Sequence, residues 1–147
     1  MSIERPLHIL LVDDETSVLF ALRLLLEAMN YAVTDFSNAA QALEALEQGT
    51  LQVDLFLCDL KMPQMNGFEA LKRTRQIDPD LLFILMSAHA STQDIEFAKN
   101  QGASAFLAKP FTPAQLKAVI EETSRSSTRS HEPGEKPGPE NAGRIGR

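Results

Sequence analysis

Three aspartates, one serine and one lysine could do chemistry together in this chain. Asp13 and Asp14 are adjacent, Asp59 follows Cys58, Ser87 follows Met86, and Lys109 directly precedes Pro110. Each comes just after a short apolar run. If those runs are strands of one parallel sheet, all five residues reach the same rim. Three crowded carboxylates repel one another and cannot all stay ionised cheaply. A hard divalent cation with oxygen ligands relieves that conflict. Mg²⁺ suits the role, because it takes one or two carboxylates, keeps waters and leaves room for a phosphoryl oxygen. A carboxylate can also attack phosphorus and form an aspartyl phosphate. The charge of the transferring group then needs a cation and a metal beside it. Lys109 is a point-charge partner for phosphate, and the Ser87 hydroxyl can donate a hydrogen bond to a phosphoryl oxygen.

Each residue alone has a plainer explanation. Asp-Asp after a strand is often a helix start, where the dipole favours acids. Asp59 and Ser87 could be turn residues, and Lys109 a solvated surface lysine. Cys58 reads as a small buried hydrophobe. His8 and His89 have no companion at metal-ligand spacing, and His131 lies in the terminal segment. The set at successive strand ends carries the inference.

The elements that must position these residues show as alternating periodicities. Continuous apolar runs at Leu7–Val12, Ala32–Phe36, Val53–Cys58, Leu81–Met86 and Ser104–Ala108 read as buried parallel strands. Between them, helical spacing predicts helices over Thr16–Asn30, Asn38–Gln48, Gly67–Ile77 and Ser91–Gln101, with a last helix from Thr112 to Glu122. Asn38, Asn66 and Thr112 each stand three residues before Gln or Glu, as helix caps do. The βα order, repeated, implies an α/β fold with helices on both faces of the sheet.

Composition bounds the rest. The chain has 147 residues, 44% hydrophobic and 23% charged, with net charge −6, which suits one soluble domain. An acidic body argues against direct nucleic-acid binding by the folded part. No apolar run is long enough to cross a bilayer. A single cysteine rules out an intrachain disulfide and fits a reducing cytoplasm. From Ser124 the composition turns to Ser, Gly, Pro, Glu and Arg. Residues 1–124 therefore read as the folded domain, and 125–147 as a disordered tail or interdomain linker.

Four stretches together resemble the receiver domain of bacterial two-component response regulators. They are Leu10-Leu11-Val12-Asp13-Asp14-Glu15, Cys58-Asp59-Leu60-Lys61-Met62-Pro63 with Gly67-Phe68, Met86-Ser87-Ala88-His89, and Phe106-Leu107-Ala108-Lys109-Pro110-Phe111. The resemblance covers about Leu7 to Glu122. It implies a flavodoxin-like (βα)5 doubly wound sheet of strand order 2-1-3-4-5, an order the family's chemotaxis member is known for. It implies that Asp59 accepts a phosphoryl group from a histidine kinase or phosphotransfer protein. Asp14, Asp59 and the Lys61 carbonyl would ligate Mg²⁺, with Asp13 positioning the metal through water. Lys109 would pair with the phosphoryl group, Ser87 would move inward to bond it, and Phe106 would be the rotating aromatic. The peptide before Pro110 would be cis. Such a domain is a switch, catalysing only its own phosphorylation and dephosphorylation. Its readout would be the affinity of a downstream protein target for the face made by Ser91–Gln101, Ser104–Ala108 and Thr112–Glu122. A homodimer formed on phosphorylation stays open.

Two positions depart from the commonest pattern. Ser87 replaces a frequent Thr but keeps the hydroxyl. Phe106 replaces a frequent Tyr, so its readout would be burial and not hydrogen bonding. Lys61 and His89 occupy positions that tune dephosphorylation. Two rival readings have specific weaknesses. A receiver-like binding module that is never phosphorylated would usually lack an acid or the lysine. A haloacid-dehalogenase-like phosphatase would carry Asp-x-Asp after the first strand, where this chain has Asp13-Asp14.

Overall fold

A computed structural model describes residues 5–130. Five strands and five helices alternate: β1 His8–Val12, α1 Thr16–Ala28, β2 Ala32–Phe36, α2 Ala39–Glu47, β3 Leu55–Asp59, α3 Gly67–Ile77, β4 Leu82–Ser87, α4 Thr92–Asn100, β5 Ala105–Ala108 and α5 Pro113–Ser130. The strands form one parallel sheet of order β2-β1-β3-β4-β5. This is the flavodoxin-like arrangement that the resemblance implied.

Alternation along β1 explains the layers, since successive side chains point to opposite faces. Leu10 and Val12 join Phe56, Phe83 and Leu85 in a core covered by Ala42, Leu43, Ala70, Leu71 and Ala98 of α2, α3 and α4. Ile9 and Leu11 face the other way, with Leu57 and Ile84, under Leu19, Leu22 and Leu26 of α1 and Leu116 and Ile120 of α5. Each fully buried Leu or Phe stabilises the fold by about 1.5–3 kcal/mol. Phe56 and Phe83 add a tilted ring contact at 4.6 Å. Both faces of the central strands are thus dry, and their only polar outlets are the ends.

Capping follows the expected residues. Asn38 Oδ1 accepts the Gln41 N–H, while Asn66 with Glu69 and Thr112 with Gln115 make reciprocal pairs. Ser91 with Asp94 makes another, which the sequence reading did not single out.

Several boundaries differ from expectation, three of them with consequences. Asp59 and Ser87 are the last residues of their strands and not the residues after them, because Asp59 pairs with Met86 and Ser87 with Ala108. The last helix runs past Glu122 to Ser130. Lack of apolar residues does not stop a helix; Gly and Pro do, and the first of these here are Pro133 and Gly134. Thr123 is also buried, so the packed face of α5 extends one position beyond the expected end. The remainder of the expected tail, 131–147, lies outside the described residues. Among the described residues no helix is long and apolar enough to cross a membrane.

Candidate functional site

The chain leaves β1, makes β2 on one side, and returns across β1 to make β3 on the other. The crevice at the carboxyl ends of β1 and β3 is the switch point of the sheet, where such folds bind ligands. Register fills it. Val12 pairs with Cys58, so the residues that follow, Asp13 and Asp59, lie side by side. Ala108 pairs with Ser87, so Lys109 leaves the sheet at the same rim.

Side chains complete the convergence. Asp13 is fully buried; its Oδ1 accepts the Glu15 N–H at 2.9 Å, and its Oδ2 accepts from Lys109 Nζ at 2.9 Å. The same ammonium lies 3.0 Å from Asp59 Oδ1. Lys109 therefore bridges two carboxylates. Asp14 is half-buried at the mouth, and one oxygen each of Asp13, Asp14 and Asp59 lie within 4.8 Å of one another. Three acids against one lysine leave uncompensated negative charge. The donors are all hard oxygens, so the set fits a small divalent cation better than a soft metal.

The electrostatics agree with that count. Burial pushes the Asp59 carboxyl above its usual range; Lys109 opposes the shift, and the charges of Asp13 and Asp14 reinforce it. Burial acts to lower the Lys109 ammonium, but its bonds and attraction to Asp13 and Asp59 outweigh this and raise it. The lysine is firmly charged while one acid is strained, as expected of a pocket short of one cation. Cys58 is fully buried, and burial with the nearby Asp59 and Asp13 holds its thiol far above the ordinary value. It stays a neutral packing residue.

The other named residues surround this centre. Ser87 is buried, and its Oγ accepts only a long 3.4 Å bond from the His89 N–H. Lys61 and His89 are exposed. Phe106 is half-buried against the α2–α4 side of the core. The Lys109–Pro110 peptide bond is cis.

Two supporting features have roles that the sequence did not reveal. The Glu15 N–H fixes the Asp13 carboxylate, a backbone role with no side-chain signal. Gly67 lets α3 seat directly on the end of β3: a Cβ there would lie 2.8 Å from Asp59 O and 2.5 Å from Leu85 Cδ2. Only glycine fits such an approach.

Comparison with known proteins agrees with the geometry. The model of the response regulator receiver domain matches residues 9–121. The Two-component response regulator ARR14 of Arabidopsis thaliana is 40% identical over 113 residues, covering 77% of this chain and 30% of the relative. The DNA-binding transcriptional regulator NtrC of Escherichia coli K12 is 37% identical over 110 residues, 75% of this chain and 23% of that protein. This chain spans between about a quarter and a half of the curated relatives it matches. Among solved structures, a CheY-like receiver domain protein from Methanospirillum hungatei JF-1 superposes with TM-score 0.79 at 30% identity, covering 85% of this chain and 98% of that one. A receiver domain protein from Clostridium thermocellum gives TM-score 0.79 at 26% identity, with coverage of 84% and 98%. The chain belongs to the response regulator receiver domain family, the signalling domains of two-component systems.

Proposed function

We propose that this domain is a switch thrown by phosphorylation of Asp59, with Mg²⁺ held beside it. The observation that carries the reading is Lys109 Nζ set between Asp13 and Asp59 at the mouth of an all-oxygen acidic cluster. The donor is a phosphohistidine on a histidine kinase or phosphotransfer protein. An Asp59 carboxylate oxygen attacks phosphorus, the P–N bond breaks, and its electron pair leaves on the donor imidazole. Mg²⁺ supplies charge neutralisation on the phosphoryl oxygens when bound; Asp13, Asp14, Asp59 and the Lys61 carbonyl are the groups to hold it. Lys109 exchanges its contact with Asp59 for one with a phosphoryl oxygen. The Ser87 hydroxyl, poorly bonded in this structure, turns inward to donate to another, and Phe106 fills the space it leaves. The face of α4, β5 and α5 then changes its affinity for a downstream protein. Couplings of this kind are about 1–3 kcal/mol, so the equilibrium is biased and not fully flipped, which needs about 5.5 kcal/mol. A cytoplasmic setting fits the lone, buried Cys58.

The direct test is incubation with acetyl phosphate and Mg²⁺, followed by intact and peptide mass analysis. One phosphoryl group on the Asp59 peptide is expected, lost on adding EDTA before the donor. Labelling elsewhere, or labelling indifferent to EDTA, would sink the reading.

Val18 and Leu22, one turn apart on α1, line an apolar groove of about 440 Å³ with Pro110 and Phe111, and its rim includes Lys109. A phosphohistidine reaching Asp59 must bring its carrier against that rim. Val18→Asn, which puts a polar amide in that groove, is therefore expected to slow transfer from a phosphorylated donor protein about tenfold, as loss of a buried anchor does. Acetyl phosphate labelling, which needs no docking, should stay near wild type. Equal slowing with both donors would exclude this seat.

A further inference from the structure

α4 is the least anchored of the three helices, α2, α3 and α4, that share its face of the sheet. Ala98 is its only buried residue. Its two ends are held very differently. At the C-terminal end, Arg75 of α3 donates from Nε and Nη2 to the Gly102 carbonyl at 3.2 and 2.8 Å, and from Nη1 to Leu81 O at 2.7 Å. One guanidinium thus ties the exit of α4 to α3 and to the entry of β4. At the N-terminal end, an open groove of about 430 Å³, lined by Lys61, Met62, Asn66, Phe68 and Asp94, separates α4 from the loop after β3. The middle of the helix has one lateral hold. Phe97, 47% exposed, meets Phe68 edge-on with ring centroids 4.8 Å apart. Phe68 stands on a rigid base, because Gly67 is seated on the Asp59 carbonyl and Asn66 and Glu69 cap each other.

We propose that α4 is an arm pinned at Gly102 by Arg75 and latched at its middle by the Phe68–Phe97 contact, and that this latch sets the threshold of the switch. The inference rests on the reading of Asp59 as phosphoacceptor. Ser87 lies four residues before Ser91, the cap of α4. When its hydroxyl turns toward a phosphoryl group, the short Ala88–Ala90 segment passes the displacement to the N-terminal end of the arm, which has space to move. The C-terminal end does not follow. Phe97 then moves relative to Phe68, and the ring contact opposes activation. An exposed aromatic that would otherwise be an unexplained solvent contact becomes the catch of a spring.

The test is the affinity of the full chain for beryllium trifluoride with Mg²⁺, measured by calorimetry. An edge contact of this kind corresponds to about a two- to tenfold change in an equilibrium. Phe97→Ala is expected to bind beryllium trifluoride tighter by that factor, and Phe97→Leu by less. Ala is also the better helix former, so the variant should fold. In a Phe68→Leu background, Phe97→Ala should add little further tightening, because the two rings act as one contact. Unchanged or weaker binding by Phe97→Ala would overturn the latch, as would full additivity in the double variant. Those outcomes leave wild-type binding intact. Failure of the wild type itself to bind, with Asp59→Asn indistinguishable from it, would instead remove the phosphoacceptor reading and the latch with it.

Discussion

Asp59→Asn is expected to abolish phosphoryl labelling and, in the absence of metal, to raise the melting temperature. The first effect is chemical: an amide oxygen is too poor a nucleophile to displace a phosphoryl donor. The second comes from the pocket's charge. Asp59 is 7% exposed and shares one ammonium with Asp13 while Asp14 crowds the mouth. Asn keeps an acceptor for Lys109 and removes one of the repelling charges. Relief of a crowded buried carboxylate favours the folded state, and each kcal/mol gained moves the midpoint of a domain this size by about 4 °C. The pH dependence has a definite sign. The folded-state pKa of Asp59 is raised above the ordinary 3.8, so the folded chain holds its proton longer than the unfolded one. Its stabilising share is complete below 3.8 and is lost as pH rises through the folded value. The gap between variant and wild type should therefore be open at neutral pH and should narrow as pH falls. Mg²⁺ should reverse the order, since wild type gains about 2.7 kcal/mol at a hundredfold excess over its Kd and the variant gains less. Thermal melts of both proteins at two pH values, with Mg²⁺ and with EDTA, check all of this. A wild type already more stable than Asp59→Asn in EDTA at neutral pH would show that the carboxylates are not in conflict.

The sequence made the sheet legible because its central strands are dry on both faces. Runs such as Ile9–Val12 and Phe56–Cys58 leave no amphipathic alternative, and their ends mark where polar groups can emerge. The acidic residues were legible for the same reason: a strand this apolar that ends in Asp13-Asp14 or Asp59 has placed them at a rim. Strand order was not readable from periodicity and came from resemblance, since nothing local in β2 says that it pairs outside β1. The Lys109 bridge spans 96 positions to Asp13 and depends on pairing that no local pattern encodes. The extension of α5 was not legible because loss of apolar content does not by itself end a helix; a Gly or Pro does, as does a residue at positive φ such as Asn30 after α1. The Phe68–Phe97 contact and the Arg75 bracket escaped because an aromatic on a weak helix and an arginine near a helix end are individually ordinary. Only the packing of α3 against the exit of α4 gives them a joint role.

Lys109→Met has the opposite signature to Asp59→Asn. Among the described residues the lysine is the one cation contacting Asp13 and Asp59, and its side chain is only 18% exposed. Met keeps much of the apolar stem and removes the charge. Asp13 is then left buried with one backbone donor, the Glu15 N–H. Removing one partner of a buried ion pair costs about 3–5 kcal/mol; the partial exposure of Lys109 places this case near 3. A loss of that size is large against a total stability of about 5–15 kcal/mol. The variant should melt more than 10 °C lower in EDTA at neutral pH, and Mg²⁺ should restore much of the difference by taking over neutralisation. The switch would fare worse than the fold. A charge-assisted contact to a phosphoryl oxygen is worth about 1.5–3 kcal/mol, so the affinity for beryllium trifluoride with Mg²⁺ should fall about ten- to a hundredfold. Double substitution with Asp59→Asn should recover part of the stability, by removing one of the repelling charges beside Asp13, without recovering binding. A Lys109→Met protein that melts like wild type in EDTA and binds the mimic equally well would mean that the ammonium holds neither the acids nor the phosphoryl group. The bridge between Asp13 and Asp59 would then be a surface contact of no consequence.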